Sequence, residues 1–248
     1  MDKELIIKRF SKAMQSYDKA AEIQHQIACT MMELLERYTS TSFPNILEVG
    51  CGTGYYSKLL AARHSTSTIC FNDICEEMCH ALQPLLTERT SFLPGDAEEV
   101  SFPEQLHLIT SCSTFQWFEN IETFFAKCSR QLLPNGYFAF SSFGTENMKE
   151  IATLTGVSLP YRTKEELITL LTPYYEIIYA HEDKLSLTFP NALQVLYHLK
   201  HTGVSAIESK PWTKGALRAF CHAYDTQFKK NEGVVLTYHP LYIIARKK

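Results

Sequence analysis

The stretch ILEVGCGTGYYSKLL, residues 46–60, joins an apolar run to three glycines at alternate positions, Gly50, Gly52 and Gly54, and then to a segment of helical character. Strand, glycine turn, helix is the opening of a doubly wound α/β sheet, whose ligand lies beyond the carboxyl end of that first strand. Glycines there let the backbone approach a ligand where a Cβ would collide. The dinucleotide spacing G-x-G-x-x-G places its last glycine for a pyrophosphate. Here the spacing is G-x-G-x-G, and Glu48 stands two residues before the first glycine. A carboxylate so close to the loop disfavours a phosphate and favours a cation, so the expected ligand carries positive charge or at least an amino group.

Outward from this stretch, apolar and helical segments alternate. Residues 3–37 show apolar positions at three- and four-residue spacing, giving one or two helices before the core. FPNILEV reads as a buried first strand, Tyr55 to Arg63 as a helix, STSTICFND as a second strand and EEMCHALQPLL as a helix. TSFLPGDAEEV holds a short third strand, and LHLITSCSTFQWF a fourth ending near Cys112. IETFFAKCSRQLLPNG follows as an amphipathic helix stopped by Pro-Asn-Gly, and YFAFSSFG as a fifth strand. This order specifies a mostly parallel, Rossmann-like sheet with helices on both faces. After residue 160 come YEIIYAHEDKLSLTF with strand character, two helices and a closing strand or hairpin. The expectation is a single domain over 1–248, with amino-terminal helices (1–43), a ligand-binding core (44–150), a helical lid (190–230) and a closing strand (231–248).

Two further acids stand at strand ends. Asp73, nineteen residues past Gly54, is placed to accept both hydroxyls of a ribose. Asp96 is placed to accept from an adenine amino group, with the Ala97 amide donating to a ring nitrogen. Singly, an Asp at a strand end is also a common turn former or cap. Adenine, ribose and a cationic tail together describe S-adenosylmethionine.

Composition narrows the class. The 248 residues are 45% hydrophobic and carry a net charge of −3, which gives no support to a general nucleic-acid or membrane-surface role. Residues 150–248 hold 12 Lys/Arg against 9 Asp/Glu, leaving 12 against 18 for residues 1–149. No uninterrupted apolar run marks a signal peptide or membrane span, so the expected location is the cytoplasm and the eight cysteines are expected to be reduced. Cys70, Cys75 and Cys79 match no usual zinc or iron–sulfur spacing, and no metal is expected.

LEVGCGTG with ND and GDAEE resembles the class I S-adenosylmethionine-dependent methyltransferases over roughly residues 45–145. The resemblance implies a seven-stranded sheet with an antiparallel last strand. It also implies that Glu48, Gly50, Gly52 and Gly54 cradle the methionine end, Asp73 holds the ribose, and Asp96 with Ala97 holds the adenine, with Asn72, Ile74, Glu98 and Ser113 beside them. RFSKAMQSYDKAAEIQ, STFQWFEN, FSSFGTENMKEI, LKHTGVSAI and LTYHPLYIIARK, in this order, resemble the malonyl-acyl-carrier-protein O-methyltransferases of the BioC type, which start pimelate synthesis for biotin. That resemblance runs from Arg9 to Lys247.

It implies methyl transfer to a carboxylate that is already ionised at pH 7, with no general base. The groups expected to act are donors and walls: Tyr17 covering the cofactor or hydrogen-bonding a carboxylate, Gln116 and Trp117 over the methyl position, and Arg162 as a carboxylate clamp. For Tyr17 and Trp117 the alternative is core packing, and for Arg162 a solvated surface. The implied partner is an acidic carrier protein bearing malonyl-phosphopantetheine, docked on Lys200, Lys210, Lys214 and Arg218, with the enzyme a monomer. The rivals are a carboxyl methyltransferase for a free small acid, a ring-carbon methyltransferase and a non-catalytic S-adenosylmethionine-binding regulator. A nucleic-acid methyltransferase is disfavoured by the absence of an Asn-Pro-Pro-Tyr type motif after strand four.

Overall fold

A computed structural model describes residues 2–39, 42–203 and 212–248. Two helices, α1 (Lys3–Ala20) and α2 (Glu22–Tyr38), precede β1 (Asn45–Val49), α3 (Tyr55–Arg63), β2 (Thr68–Asp73), α4 (Met78–Leu82), β3 (Thr90–Pro94) and β4 (Leu106–Cys112). There follow α5 (Ile121–Gln131), β5 (Leu132–Phe143), α6 (Lys149–Thr155), α7 (Lys164–Leu171), β6 (Tyr175–Glu182), β7 (Leu185–Phe189), α8 (Ala192–His201), α9 (Lys214–Gln227), β8 (Lys229–Lys230), β9 (Gly233–Tyr238) and β10 (Pro240–Lys247).

Seven strands form one sheet in the order β3-β2-β1-β4-β5-β10-β6. β10 pairs antiparallel with both β5 and β6, while β1 to β5 pair in parallel. Strand order reverses between β1 and β4, so the crevice for a ligand opens at their carboxyl ends. Alternation along each strand divides the core: Ile46, Leu108, Ala139 and Ile244 face a cluster built with α2, α3, α8 and α9, whereas Leu47, Ile109, Phe138 and Ile243 face α5 and α7. Each fully buried Leu, Ile or Phe among them contributes roughly 1.5–3 kcal/mol. Glu48 shares the parity of Ile46 and is therefore carried, 1% exposed, beneath the helical layer on that side.

Three elements differ from the sequence reading. Pro134-Asn135-Gly136 lies within β5 as a local excursion, with Asn135 at φ +62°, rather than stopping α5. The helix expected over EEMCHALQPLL is α4 followed by one 3-10 turn at Gln83–Leu85. The carboxyl terminus is two strands in different sheets: β9 joins a three-stranded antiparallel sheet, β7-β9-β8, and only β10 enters the main sheet.

Candidate functional site

Two neighbouring cavities open at the switch point. The larger, about 160 Å³, is lined by the β1 loop, the ends of β2, β3 and β4, and the inner face of α1. The smaller, about 30 Å³, lies beside it and shares Phe10, Tyr17, Gln24, Ser113 and Trp117. Glu48, Gly50, Gly52, Asn72, Asp73, Ile74, Asp96, Ala97, Glu98, Ser113, Trp117 and Tyr17 all border the larger cavity. Gln116 borders the smaller.

The β1 loop runs in the left-handed region, with Gly50 at φ +70°, Gly52 at +53° and Gly54 at +84°. A Cβ on Gly50 would fall 2.3 Å from Thr114, whereas one on Gly52 would meet nothing within 4 Å and point into open space. Gly54 borders neither cavity: a Cβ there would strike Leu82, so its part is to turn the chain into α3 rather than to touch a ligand. Asn72 holds the loop from behind, its carbonyl accepting from the Gly50 and Cys51 amides at 2.8 and 2.9 Å. The Asn72 amide group in turn donates to the carbonyls of Leu93 and Gly95, which sets the β3 loop.

Both Asp73 oxygens are already engaged. Oδ2 accepts from the Gly52 amide and Oδ1 from the Cys75 amide, each at 2.8 Å. Each oxygen keeps a further lone pair for an incoming hydroxyl. Burial raises the Asp73 carboxyl to about 6 against the opposing pull of these amides. Burial, with the charge of Asp73 added, pushes Glu48 up to about 8, and the Glu48 Oε2 has no hydrogen-bond partner among the described residues. A buried carboxyl oxygen left orphaned in a cavity wall is costly unless a cation reaches it.

Those features fit S-adenosylmethionine: a cation position at Glu48, an open backbone cradle at Gly52, and a two-oxygen acceptor at Asp73. The pH dependence follows. In the ligand-free protein both carboxyls bind protons more tightly than in the unfolded chain, so their cost to stability grows as pH rises from about 4 to about 8. A cation beside Glu48 reverses that preference. The melting temperature of the free protein is therefore expected to fall between pH 6 and pH 8.5, while S-adenosylmethionine affinity rises severalfold over the same span. Glu48→Gln should flatten the second profile; melting curves and calorimetric titrations at four pH values check the two.

The roof over the larger cavity is α1. Ile6, Phe10, Met14 and Tyr17 recur at helical spacing on its inner face. Its two ends are tied down: Lys3 pairs with Asp96 and, at 2.6 Å, with Glu98, and the Thr53 hydroxyl donates to Asp18 Oδ1 at 2.5 Å. Asp96, expected at the adenine amino group, thus has one oxygen on the Lys3 ammonium and the other on the Glu98 amide. The 190–230 segment, expected to cover the site as a lid, lends only Thr202 to the smaller cavity among the described residues and backs α1 through α8. The physical reason is the apolar stripe of α1, which can be buried only by lying on the crevice.

The acceptor side differs more from expectation. Gln116 is pinned, its Nε2 donating to the Ser113 carbonyl at 2.6 Å and its Oε1 accepting from Ser142 at 3.4 Å. Trp117 meets Phe10 edge to face at 5.6 Å between the two cavities. Ser113 is itself held at φ +57°, outside the conformations a serine prefers, with its hydroxyl unpartnered among the described residues. Arg162 is exposed and borders neither cavity. Lys200, Lys214 and Arg218 are exposed on α8 and α9, the last two four residues apart on one helix face, and Lys210 lies outside the described residues. The Tyr238–His239 motif braces the scaffold: the Tyr238 hydroxyl meets His198 Nε2 at 2.6 Å, and His239 Nδ1 accepts from the Glu146 amide at 3.1 Å.

The sequence reading did not single out Lys3, Asp18, Gln24, Thr53, Asn147 or Tyr161. None of these six carried a local signal; the inner face of α1 did, in the helical spacing of Ile6, Phe10, Met14 and Tyr17. Among the described residues no three His, Cys, Asp or Glu side chains are grouped to hold a metal, and no helix is long and apolar enough to cross a membrane.

A family described as a methyltransferase domain matches residues 47–140. The malonyl-[acyl-carrier protein] O-methyltransferase of Bacteroides thetaiotaomicron is 45% identical over 259 residues, which cover 100% of this chain and 99% of that protein. The protein of the same name from Bacteroides fragilis is 48% identical over 246 residues; these are 98% of this chain but 50% of that longer protein. In structure, the N-methyltransferase NodS from Bradyrhizobium japonicum, solved with S-adenosyl-L-homocysteine, superposes with a TM-score of 0.52 at 14% identity, covering 89% of this chain and 85% of that one. With the glycine cradle, the orphaned Glu48 and the Asp73 acceptor in place, the chain belongs to the malonyl-[acyl-carrier protein] O-methyltransferase family, S-adenosylmethionine-dependent enzymes built on the class I methyltransferase fold.

Proposed function

We propose that this enzyme methylates the free carboxylate of a malonyl group carried by an acyl carrier protein, giving the methyl ester that opens pimelate and biotin synthesis. The observation that carries this reading is the lining of the smaller cavity, which among the described residues contains no charged side chain. Its titratable groups, Tyr17 and Tyr161, are both raised by burial, Tyr161 to about 12, and stay protonated at neutral pH. Neither can serve as a base, so the acceptor has to arrive as a nucleophile already, as a carboxylate with an ordinary value near ~4 does. A ring carbon, which has to lose a proton, finds no group to take it.

When bound, S-adenosylmethionine supplies a methyl group on a cationic sulfur, whose transfer to a carboxylate oxygen requires no proton to be removed. The chain's own work is placement. Glu48 would face the cationic tail, Asp73 the ribose hydroxyls, and Asp96 with the Ala97 amide the adenine, with Asn72, Ile74, Glu98 and Ser113 alongside. Phe10, Tyr17 and Trp117 stand between the two cavities and close the reacting position to water. Holding two reactants in line in this way is worth up to ~7–11 kcal/mol, and excluding water removes the shell that would screen the opposite charges as they cancel.

The test is direct: incubated with S-adenosylmethionine, malonyl carrier protein should gain the mass of one methylene, in a form that mild base removes. A carrier left unchanged by protein that binds S-adenosylmethionine would refute the reading. We place the reaction in the cytoplasm, with the enzyme monomeric and with no nucleic-acid or membrane partner. The carrier is taken to be acidic and to dock near Lys200, Lys214 and Arg218, where opposite charge speeds encounter. Lys200→Glu combined with Lys214→Glu is then expected to lower kcat/KM for malonyl carrier about tenfold at low salt, with the deficit shrinking as salt is added and S-adenosylmethionine affinity unchanged. Steady-state rates at two ionic strengths check this.

A further inference from the structure

The reading above leaves open what holds the acceptor carboxylate, and this inference rests on that reading. The smaller cavity, about 30 Å³, has room for a group of about two water molecules, the bulk of one carboxylate. Its wall carries side chains with hydrogen-bonding capacity not used up in the fold, the unpartnered Ser113 hydroxyl among them. The Asn147 Nδ2 donates to the Tyr161 hydroxyl oxygen at 2.8 Å, which leaves the Tyr161 proton free to donate elsewhere. Asn147 is fixed in turn: its Oδ1 accepts from the His239 amide at 3.2 Å and its own amide donates to the Gly144 carbonyl at 3.0 Å. The Tyr17 hydroxyl, on the opposite element α1, has no hydrogen-bond partner among the described residues. The Gln24 Oε1 is buried and likewise unpartnered, and a half-turn of that amide presents its NH2 to the same position.

We propose that the malonyl carboxylate is received in this cavity by neutral donors, with Tyr161, polarised by Asn147, as the principal positioning residue and Tyr17 and Gln24 as its companions, and that no cation clamps it. A chain of hydrogen bonds from His239 through Asn147 strengthens the donation at its end. Neutral donors also suit the reaction better than Arg162 would. The carboxylate loses its charge as the ester forms, so a guanidinium bound to it would stabilise the starting state more than the transition state and slow the step. The cavity size further assigns specificity: one carbon more between thioester and carboxylate would press the carboxylate into its buried apolar lining, which includes Phe143 and Met148.

The experiment compares wild type, Tyr161→Phe and Arg162→Gln with malonyl and succinyl carrier proteins, alongside calorimetric binding of S-adenosylmethionine and a melting curve for each. Tyr161→Phe keeps the ring and is expected to fold. KM for malonyl carrier should rise about tenfold, the worth of one hydrogen bond to a charged group, with kcat changed less and S-adenosylmethionine affinity within twofold. The preference for malonyl over succinyl should narrow, a readout that a merely structural role would not move. Asn147→Asp, which places a carboxylate beside the Tyr161 oxygen, should give a similar rise. A KM for Tyr161→Phe within twofold of wild type, or an equal or greater rise for Arg162→Gln, would overturn the proposal while an active wild type left the function standing. A wild type inactive on malonyl carrier would remove the function and this inference with it.

Discussion

Asp73→Asn is expected to weaken S-adenosylmethionine binding about a hundredfold. The carboxylate accepts from two backbone amides at once, Gly52 on Oδ2 and Cys75 on Oδ1, and so fixes the β1 loop against the turn after β2 before any ligand arrives. An asparagine offers one oxygen and one NH2. Whichever way the amide turns, its NH2 confronts a backbone N–H, and one of the two amides loses its acceptor. A buried donor left unpaired costs ~1–3 kcal/mol, and the acceptor proposed for one ribose hydroxyl is lost as well. The lost acceptor acts on binding directly and the unpaired amide acts through a loop no longer held in its binding form, together roughly 3 kcal/mol, or about two decades in Kd. Calorimetric titration checks the figure, and a Kd within fivefold of wild type would mean that Asp73 only braces the loop.

Gly50→Ala is expected to be worse, because it acts on the fold. Its backbone is left-handed at φ +70°, which costs an alanine ~1–2 kcal/mol. The new Cβ would also lie 2.3 Å from both Thr114 Cγ2 and Oγ1, and Thr114 sits in the loop that carries Ser113, Gln116 and Trp117. Thr114 cannot simply turn away, since its hydroxyl donates to the Cys112 carbonyl at 3.1 Å. A loss of ~3 kcal/mol or more in stability, with no measurable methyl transfer, is the expected result. Gly52→Ala separates the two effects. Nothing lies within 4 Å of its added Cβ, so the fold should lose only the ~1–2 kcal/mol of the left-handed backbone while the ligand cradle is filled. A melting curve and a binding titration on each variant test the contrast; equal stability losses in the two would contradict it.

Much of the core was legible in the sequence because its information is local. ILEVGCGTG carries strand, turn and backbone freedom within a few residues, and the acids at 48, 73 and 96 follow from where strands end. All three border one cavity in the structure. What escaped depends on long-range placement. Lys3 becomes a site residue only because α1 folds back across ninety-odd residues of chain to reach Asp96, and nothing near Lys3 announces that. The stripe Ile6, Phe10, Met14 and Tyr17 was visible as a helix, but only the open crevice shows that it serves as a roof. Arg162 was chosen for its chemistry, a guanidinium for a carboxylate; one residue earlier, Tyr161 turns inward to Asn147 while Arg162 stays in solvent. Gln116 is expected over the methyl position, and in the structure its amide is held between the Ser113 carbonyl and the Ser142 hydroxyl, which fixes it in the wall of the smaller cavity. Side-chain direction in irregular loops is set by tertiary packing, and a pattern of residue types does not carry it.

The proposed reaction takes an acceptor that is ionised before it binds and is delivered on a carrier protein, and methylates it without a base. Label transfer from methyl-labelled S-adenosylmethionine is to be followed in parallel to malonyl carrier protein, malonyl-coenzyme A, free malonate and succinyl carrier protein, counting base-labile ester. Label chiefly on malonyl carrier, at a rate that stays flat from pH 6.5 to 8.5 once S-adenosylmethionine is saturating, is the predicted result. Label on free malonate at an equal or greater rate, or a rate that climbs tenfold per pH unit as a deprotonating acceptor would require, would contradict it.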